Sequence, residues 1–172
     1  DLTSCNITYT INNGTPVTYA WTGNLPSDFV DTVTLGTYTA VAGKIDNITM
    51  WVDSPNHVYD SAYYDDTLSV DIVTCNGTLQ GEYTLGGATS DFTSMGQFLK
   101  TLEKCGIDGK VTLNILPGTY SESINFRQLA GMFTTYDTLI ITSSTGDTSD
   151  VVFTGGVSLD NVQNIVISNI TF

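Results

Sequence analysis

The second half of the chain carries a loose internal repeat, and that repeat limits what it can fold into. Val111, Leu139 and Ile165 each open a short apolar run, at a spacing of roughly two to three dozen residues. A period in that range marks a solenoid, in which each unit buries its apolar face only by stacking on the next. The strands expected from it cover 111–116, 123–126, 138–142, 151–154, 157–159 and 165–172. Ahead of them the period changes. Phe92, Met95, Phe98, Leu99 and Leu102 follow three- and four-residue steps, which predicts one amphipathic helix over about 94–104. Ser94 and Gln97 fit a capping box at its start, and Lys100, Lys104 and Gly106 suit its end. A helix placed there would cover the open end of a coil whose first strand would otherwise be bare.

The first half reads as antiparallel. Strands are expected at 6–11, 16–21, 29–35, 44–52 and 67–73, separated by turn signals such as Asn12-Asn13-Gly14-Thr15 and Ser54-Pro55-Asn56. That spacing suggests a small sandwich. Ile48, Met50 and Val52 alternate with Asn47, Thr49 and Trp51, so one face of this strand is expected in the core. Trp21 and Trp51 suit either core-edge packing or exposed sugar platforms, and packing is the preferred reading. The fold class is therefore mostly β, with modules at 1–76 and 77–172.

Composition narrows function. Five basic residues against eighteen acidic ones give a formal charge of -13, which argues against nucleic acid and anionic lipid as partners. No apolar stretch approaches the roughly 20 residues that span a bilayer, so membrane insertion is not expected. The chain does not begin with Met and stops within an apolar run, and an excerpt from a longer secreted polypeptide is the expectation.

Three cysteines and one histidine, His57, are too few ligands for a zinc site. A disulfide is the better use. Cys75 precedes the Gly81-Glu82-Tyr83 strand and Cys105 ends the helix, so a bridge between them would tie the helix to the segment entering it. Cys5 with Cys75 is the competing pair. Among the acids, Asp53, Asp60, Asp65 and Asp66 are the weak calcium candidates, since Ca²⁺ takes loop carboxylates and carbonyls, but they lack the glycine-spaced pattern of a calcium loop. Catalysis on polysaccharides needs paired carboxylates, or an acid beside a base. The single arginine, Arg127, has Glu122 in the turn before it, and a surface ion pair is the preferred reading. No catalytic residue and no cofactor is assigned, and His57 reads as a loop histidine.

Several motifs carry a resemblance. Leu79-Gln80-Gly81-Glu82-Tyr83-Thr84-Leu85-Gly86-Gly87, then Cys105-Gly106-Ile107-Asp108-Gly109-Lys110-Val111-Thr112, then Ile115-Leu116-Pro117-Gly118-Thr119-Tyr120-Ser121-Glu122 with Ile124-Asn125-Phe126, resemble the amino-terminal cap and first rungs of pectin-lyase-like right-handed parallel β-helices. The likeness is strongest to those in large secreted Bacteroidetes surface proteins, and Asn169-Ile170-Thr171-Phe172 reads as a later rung. The front module more loosely resembles CARDB-type, immunoglobulin-like adhesion domains through Tyr9-Thr10-Ile11-Asn12-Asn13-Gly14, Trp21-Thr22-Gly23-Asn24-Leu25 and Asp65-Asp66-Thr67-Leu68.

These resemblances imply a non-catalytic structural or adhesive module of a cell-surface protein exported by type IX secretion. Its partners would be other domains of the same chain, glycans or cell-surface proteins. The alternative is the non-catalytic front of a β-helix polysaccharide-active enzyme, pectin lyase-like or pectinesterase-like. Tyr59, Tyr63 and Tyr64 are a third cue, for a glycan-binding surface. The tripeptides at Asp31, Asp60, Asp66 and Asp137 resemble that phylum's O-glycosylation sites, which makes Thr32, Ser61, Thr67 and Thr138 candidates.

Overall fold

A computed structural model describes residues 1–59, 66–129, 131 and 133–172. The chain is mostly β and divides into two compact units, Asp1–Thr74 and Cys75–Phe172.

In the first unit, β1 (Leu2–Ile11), β2 (Val17–Leu25), β3 (Lys44–Asp53) and β4 (Thr67–Thr74) form one antiparallel sheet in the order β2-β1-β3-β4. The β1–β2 turn follows from its sequence. Asn12 and Asn13 both take positive φ, at 52° and 55°, and the Gly14 amide donates to the Ile11 carbonyl at 2.9 Å. Two left-handed central residues are what a primed hairpin turn requires, and Asn tolerates that conformation better than most residues.

Register separates the sheet into two chemistries. Ile7, Tyr9 and Ile11 lie opposite Val52, Met50 and Ile48, which makes one face apolar. Thr8 and Thr10 lie opposite Trp51 and Thr49, on the polar face. The alternation in β3 thus puts Ile48, Met50 and Val52 on a common apolar face, but Val52 remains 38% exposed and that face is not a closed core.

The strand expected at 29–35 is absent. Asp28 takes φ 67°, and the segment is held by side chains instead of a ladder. The Trp21 indole N–H donates to Asp31 at 2.9 Å, and the Tyr38 hydroxyl donates to Asp46. Among the described residues, every strand of this unit lies in the one sheet.

The second unit stacks parallel strands. In the main sheet β5 (Leu79–Leu85), β6 (Ile107–Ile115), β9 (Thr138–Ser143) and β12 (Ile165–Ser168) lie in chain order, each parallel to the last. Two further parallel pairs join β7 (Gly118–Tyr120) to β10 (Val151–Phe153), and β8 (Ile124–Asn125) to β11 (Val157–Ser158). Val111, Leu113 and Ile115 point inward and are fully buried, as are Leu139 and Ile141 opposite the first two. An aromatic file runs alongside: Tyr120 stacks on Phe153 with centroids 5.1 Å apart, and Phe172 follows at 6.1 Å.

Helix α1 (Met95–Cys105) packs on β5 and on the short turn Arg127–Leu129 through Met95, Phe98, Leu99 and Leu102, all buried. Its start differs in detail from a capping box. Ser94 Oγ accepts the Gln97 amide at 3.1 Å, but Gln97 Oε1 reaches Thr93, accepting its amide and hydroxyl at 3.2 and 2.7 Å. At its end Gly106 takes φ 77° and donates to the Leu102 carbonyl at 2.9 Å, a conformation that costs glycine least. Gly155 is required for another reason: a β-carbon there would press on the backbone of Glu122.

Candidate functional site

Cys75 and Cys105 form a disulfide with their Cα atoms 5.5 Å apart, joining the entry to β5 to the end of α1. Cys5 is a buried free thiol, and burial, with the nearby Asp53 carboxylate adding to it, pushes its pKa up. Deprotonation is disfavoured in both respects, so this thiol is a poor nucleophile.

Arg127 does not pair with Glu122. Its Nε lies 3.5 Å from Asp160 Oδ2, with both side chains mostly exposed, which makes it an ordinary surface ion pair. Glu122 instead reaches α1, where its carboxylate accepts the Met95 amide at 3.3 Å and the Gly96 amide at 3.1 Å. The helix has no acid in its own first turn, so Glu122 supplies from the neighbouring turn the negative charge its amino end favours. Sequence spacing could not reveal this, because the partners are brought together only by stacking. Glu122→Ala is expected to cost about 1–2 kcal/mol, as loss of a helix cap does, measured as a lower urea midpoint.

Asp137 likewise ties neighbouring segments together, here at the start of β9. It is buried, and its carboxylate accepts the Thr134 amide at 2.8 Å, the Thr134 hydroxyl at 2.7 Å and the Gly109 amide at 2.9 Å. The bonds from Thr134 and then Gly109 hold its pKa below the usual carboxylate value. A depressed pKa means that folding favours the ionised form. This contribution is therefore complete above the unfolded value of about 3.9 and disappears as pH falls through the lower folded one. Asp137→Asn is expected to flatten the loss of stability on acidification below about pH 4, as followed by urea midpoints across that range.

Of the calcium candidates, Asp53 and Asp66 fall within the described residues and line the same cleft. Asp60 and Asp65 lie outside the described residues, as do Ser61, Tyr63 and Tyr64. Asp53 Oδ1 is occupied by the Asn6 amide at 3.0 Å and the Ser54 hydroxyl at 2.8 Å. Among the described residues no group of three or more His, Cys, Asp or Glu is arranged to hold a metal. His57 is exposed in the turn Pro55–His57 at φ 63°. Of the glycosylation candidates, Thr32 and Thr67 are exposed, whereas Thr138 is half-buried within β9.

What the residues do form is a cleft of about 310 Å³ at the β3–β4 end of the first sheet, lined by Trp51, Val52, Asp53, Ser54, Tyr59, Asp66 and Thr67. The two tryptophans differ here. Trp21 is buried at 7% exposure and bonded to Asp31, whereas Trp51 is only half-buried and sits on the polar face opposite Thr67 and Thr8. Tyr59 is 81% exposed.

The turn beside the cleft is held firmly. Ser54, Asn56 and His57 all take positive φ, and Asn56 is clamped to the start of β1, its Oδ1 accepting from the Thr3 amide at 2.6 Å and hydroxyl at 2.9 Å, its Nδ2 donating to the Asp1 carbonyl at 3.1 Å. A second cleft, of about 290 Å³, is lined by Gly131, Phe133, Asn161, Val162 and Gln163 and has no titratable group among them.

The fold and this site define a mostly β protein with an antiparallel unit, a unit of stacked parallel strands, and a cleft in which aromatic rings meet carboxylates. Comparison of the chain with protein-family models, curated proteins and solved structures finds no match. No described helix is long and apolar enough to cross a membrane.

Proposed function

We propose that the chain is a non-catalytic structural and adhesive module of a large secreted bacterial surface protein. In this reading an immunoglobulin-like front domain precedes the capped start of a right-handed parallel β-helix. The observation that carries it is the serial parallel stacking of β5, β6, β9 and β12 behind one amphipathic helix. An array of that kind extends by adding strands and holds whatever is attached to it at a distance, which is what a stalk does. The main structural resources of the second unit, the buried inward columns, Glu122 and Asp137, are spent on holding strands and helix together, and its one arginine sits in an exposed ion pair.

The test uses the chain coupled to beads. Retention under flow on cultured cell layers should exceed that of beads carrying heat-denatured chain, and incubation with polygalacturonate should release no reducing ends above a blank. Enzymatic release of reducing ends, or retention equal to the denatured control, would overturn the reading.

A further inference from the structure

The cleft at the β3–β4 end brings two aromatic rings together with hydroxyl and carboxylate side chains. A tryptophan normally lies on the apolar side of a half-buried sheet, yet the β1–β3 register sets Trp51 among hydroxyls and carboxylates, with Thr67 directly opposite and Asp53 two residues on, on the same face. Tyr59 contributes a second ring, exposed at the edge of the same cleft. The lining also includes Ser54 and Asp66, and no basic residue lines the cleft among the described residues.

We propose that this cleft binds a neutral saccharide. The chemistry fits in three respects. A sugar ring has an apolar face of C–H bonds that packs on an aromatic ring, and its edge carries hydroxyls that donate to carboxylates and exchange hydrogen bonds with Ser and Thr. The cleft's size, at the low end for a small-molecule site, suits one or two rings rather than a long polymer. The charge then sorts ligands. Among the described residues two carboxylates line the cleft and, in a chain of net charge -13, they repel uronic acids and other anionic sugars, so the site selects uncharged ones.

The clamp that Asn56 places on the Ser54–His57 turn keeps the cleft wall in one shape before ligand arrives, which lowers the ordering cost of binding. This proposal deepens the adhesive reading above by naming what the first unit holds, and rests on it only for its biological purpose.

The experiment is an amide NMR titration of the whole chain with methyl glucoside, methyl galactoside and methyl mannoside, with glucuronate and tetramethylammonium as charged controls. At least one glycoside should give saturable shifts confined to Trp51, Val52, Asp53, Ser54, Tyr59 and Thr67, with a dissociation constant on the order of millimolar. Glucuronate should give none. Trp51→Ala and Tyr59→Ala should each weaken binding by about tenfold or more, and because Tyr59 is so exposed its removal leaves the sheet's spectrum otherwise in place.

No saturable shift with any glycoside, shifts located elsewhere, equal response to glucuronate, or a response to tetramethylammonium in place of glycoside would each overturn the proposal. Its failure is distinguishable from failure of the adhesive reading. Beads retained without cleft shifts would leave adhesion standing and remove the saccharide, and cleft shifts without bead retention would do the reverse.

Discussion

Phe98→Ala is expected to destabilise the protein by about 3–5 kcal/mol, the range for truncating a fully buried aromatic residue. Phe98 has no exposed surface, lies between Met95, Leu99 and Leu102 on the buried face of α1, and meets Phe92 edge-on with centroids 5.2 Å apart. Truncation removes that edge-to-face contact and leaves a void between helix and strand that neighbours on a hydrogen-bonded helix cannot close, so transfer and cavity costs add. The effect should appear as a lower urea midpoint by far-ultraviolet circular dichroism with the slope preserved. A change below about 1 kcal/mol, the average for an ordinary point substitution, would mean that the helix is not seated on this face.

Loss of the disulfide is expected to be nearly as costly. The bridge closes a loop between residues 30 apart in sequence. Releasing that constraint on the unfolded chain corresponds to about 3–4 kcal/mol by loop-closure entropy. Cys105→Ser should therefore shift the urea transition by that amount, and a reducing agent should shift the parent protein equally while leaving the variant unchanged. Thiol titration checks the pairing independently. With Cys5 buried and its thiol held protonated, the native protein should show no reactive thiol, the denatured oxidised protein one, and the denatured reduced protein three. The single thiol labelled in the denatured oxidised protein should map to Cys5; a label on Cys105 instead would mean the Cys5–Cys75 connectivity, which the spacing alone left open.

Much of the fold was legible because its signals are local. Phe92, Met95, Phe98, Leu99 and Leu102 fall on one side of any helix, so α1 could be placed to within a residue at each end. The apolar runs opening at Val111, Leu139 and Ile165 are the same residues that come into register across β6, β9 and β12. The segment 29–35 misled because Phe29, Val30, Val33 and Leu35 have strand character but need a partner strand to use it. Asp31 and Tyr38, held by Trp21 and Asp46, fix the backbone another way.

The site was less legible than the fold. Composition treated Trp21 and Trp51 alike, and only cross-strand register distinguishes a ring packed beside Cys5 from one set among threonines. Glu122 looked like a partner for Arg127 because the two lie close in sequence, whereas the contact that matters is to α1, 26 and 27 residues back. Asp46 sits in no motif that would mark it. It is buried, accepts from Tyr38 and from the Asn12 amide at 2.7 Å, and those two bonds, Tyr38 first, hold its pKa low. Each of these depends on cross-strand or tertiary contacts, which periodicity does not encode.

The central claim is that the second unit stacks its strands serially and in parallel, and backbone nuclear Overhauser contacts test it most directly. Parallel-type contacts are expected between Leu113 and Ile141 and between Ile141 and Ile167, with none between Leu113 and Ile167, because β9 lies between the other two strands. Close Hα–Hα contacts of antiparallel pairing among these strands, or direct contacts from Leu113 to Ile167, would contradict it.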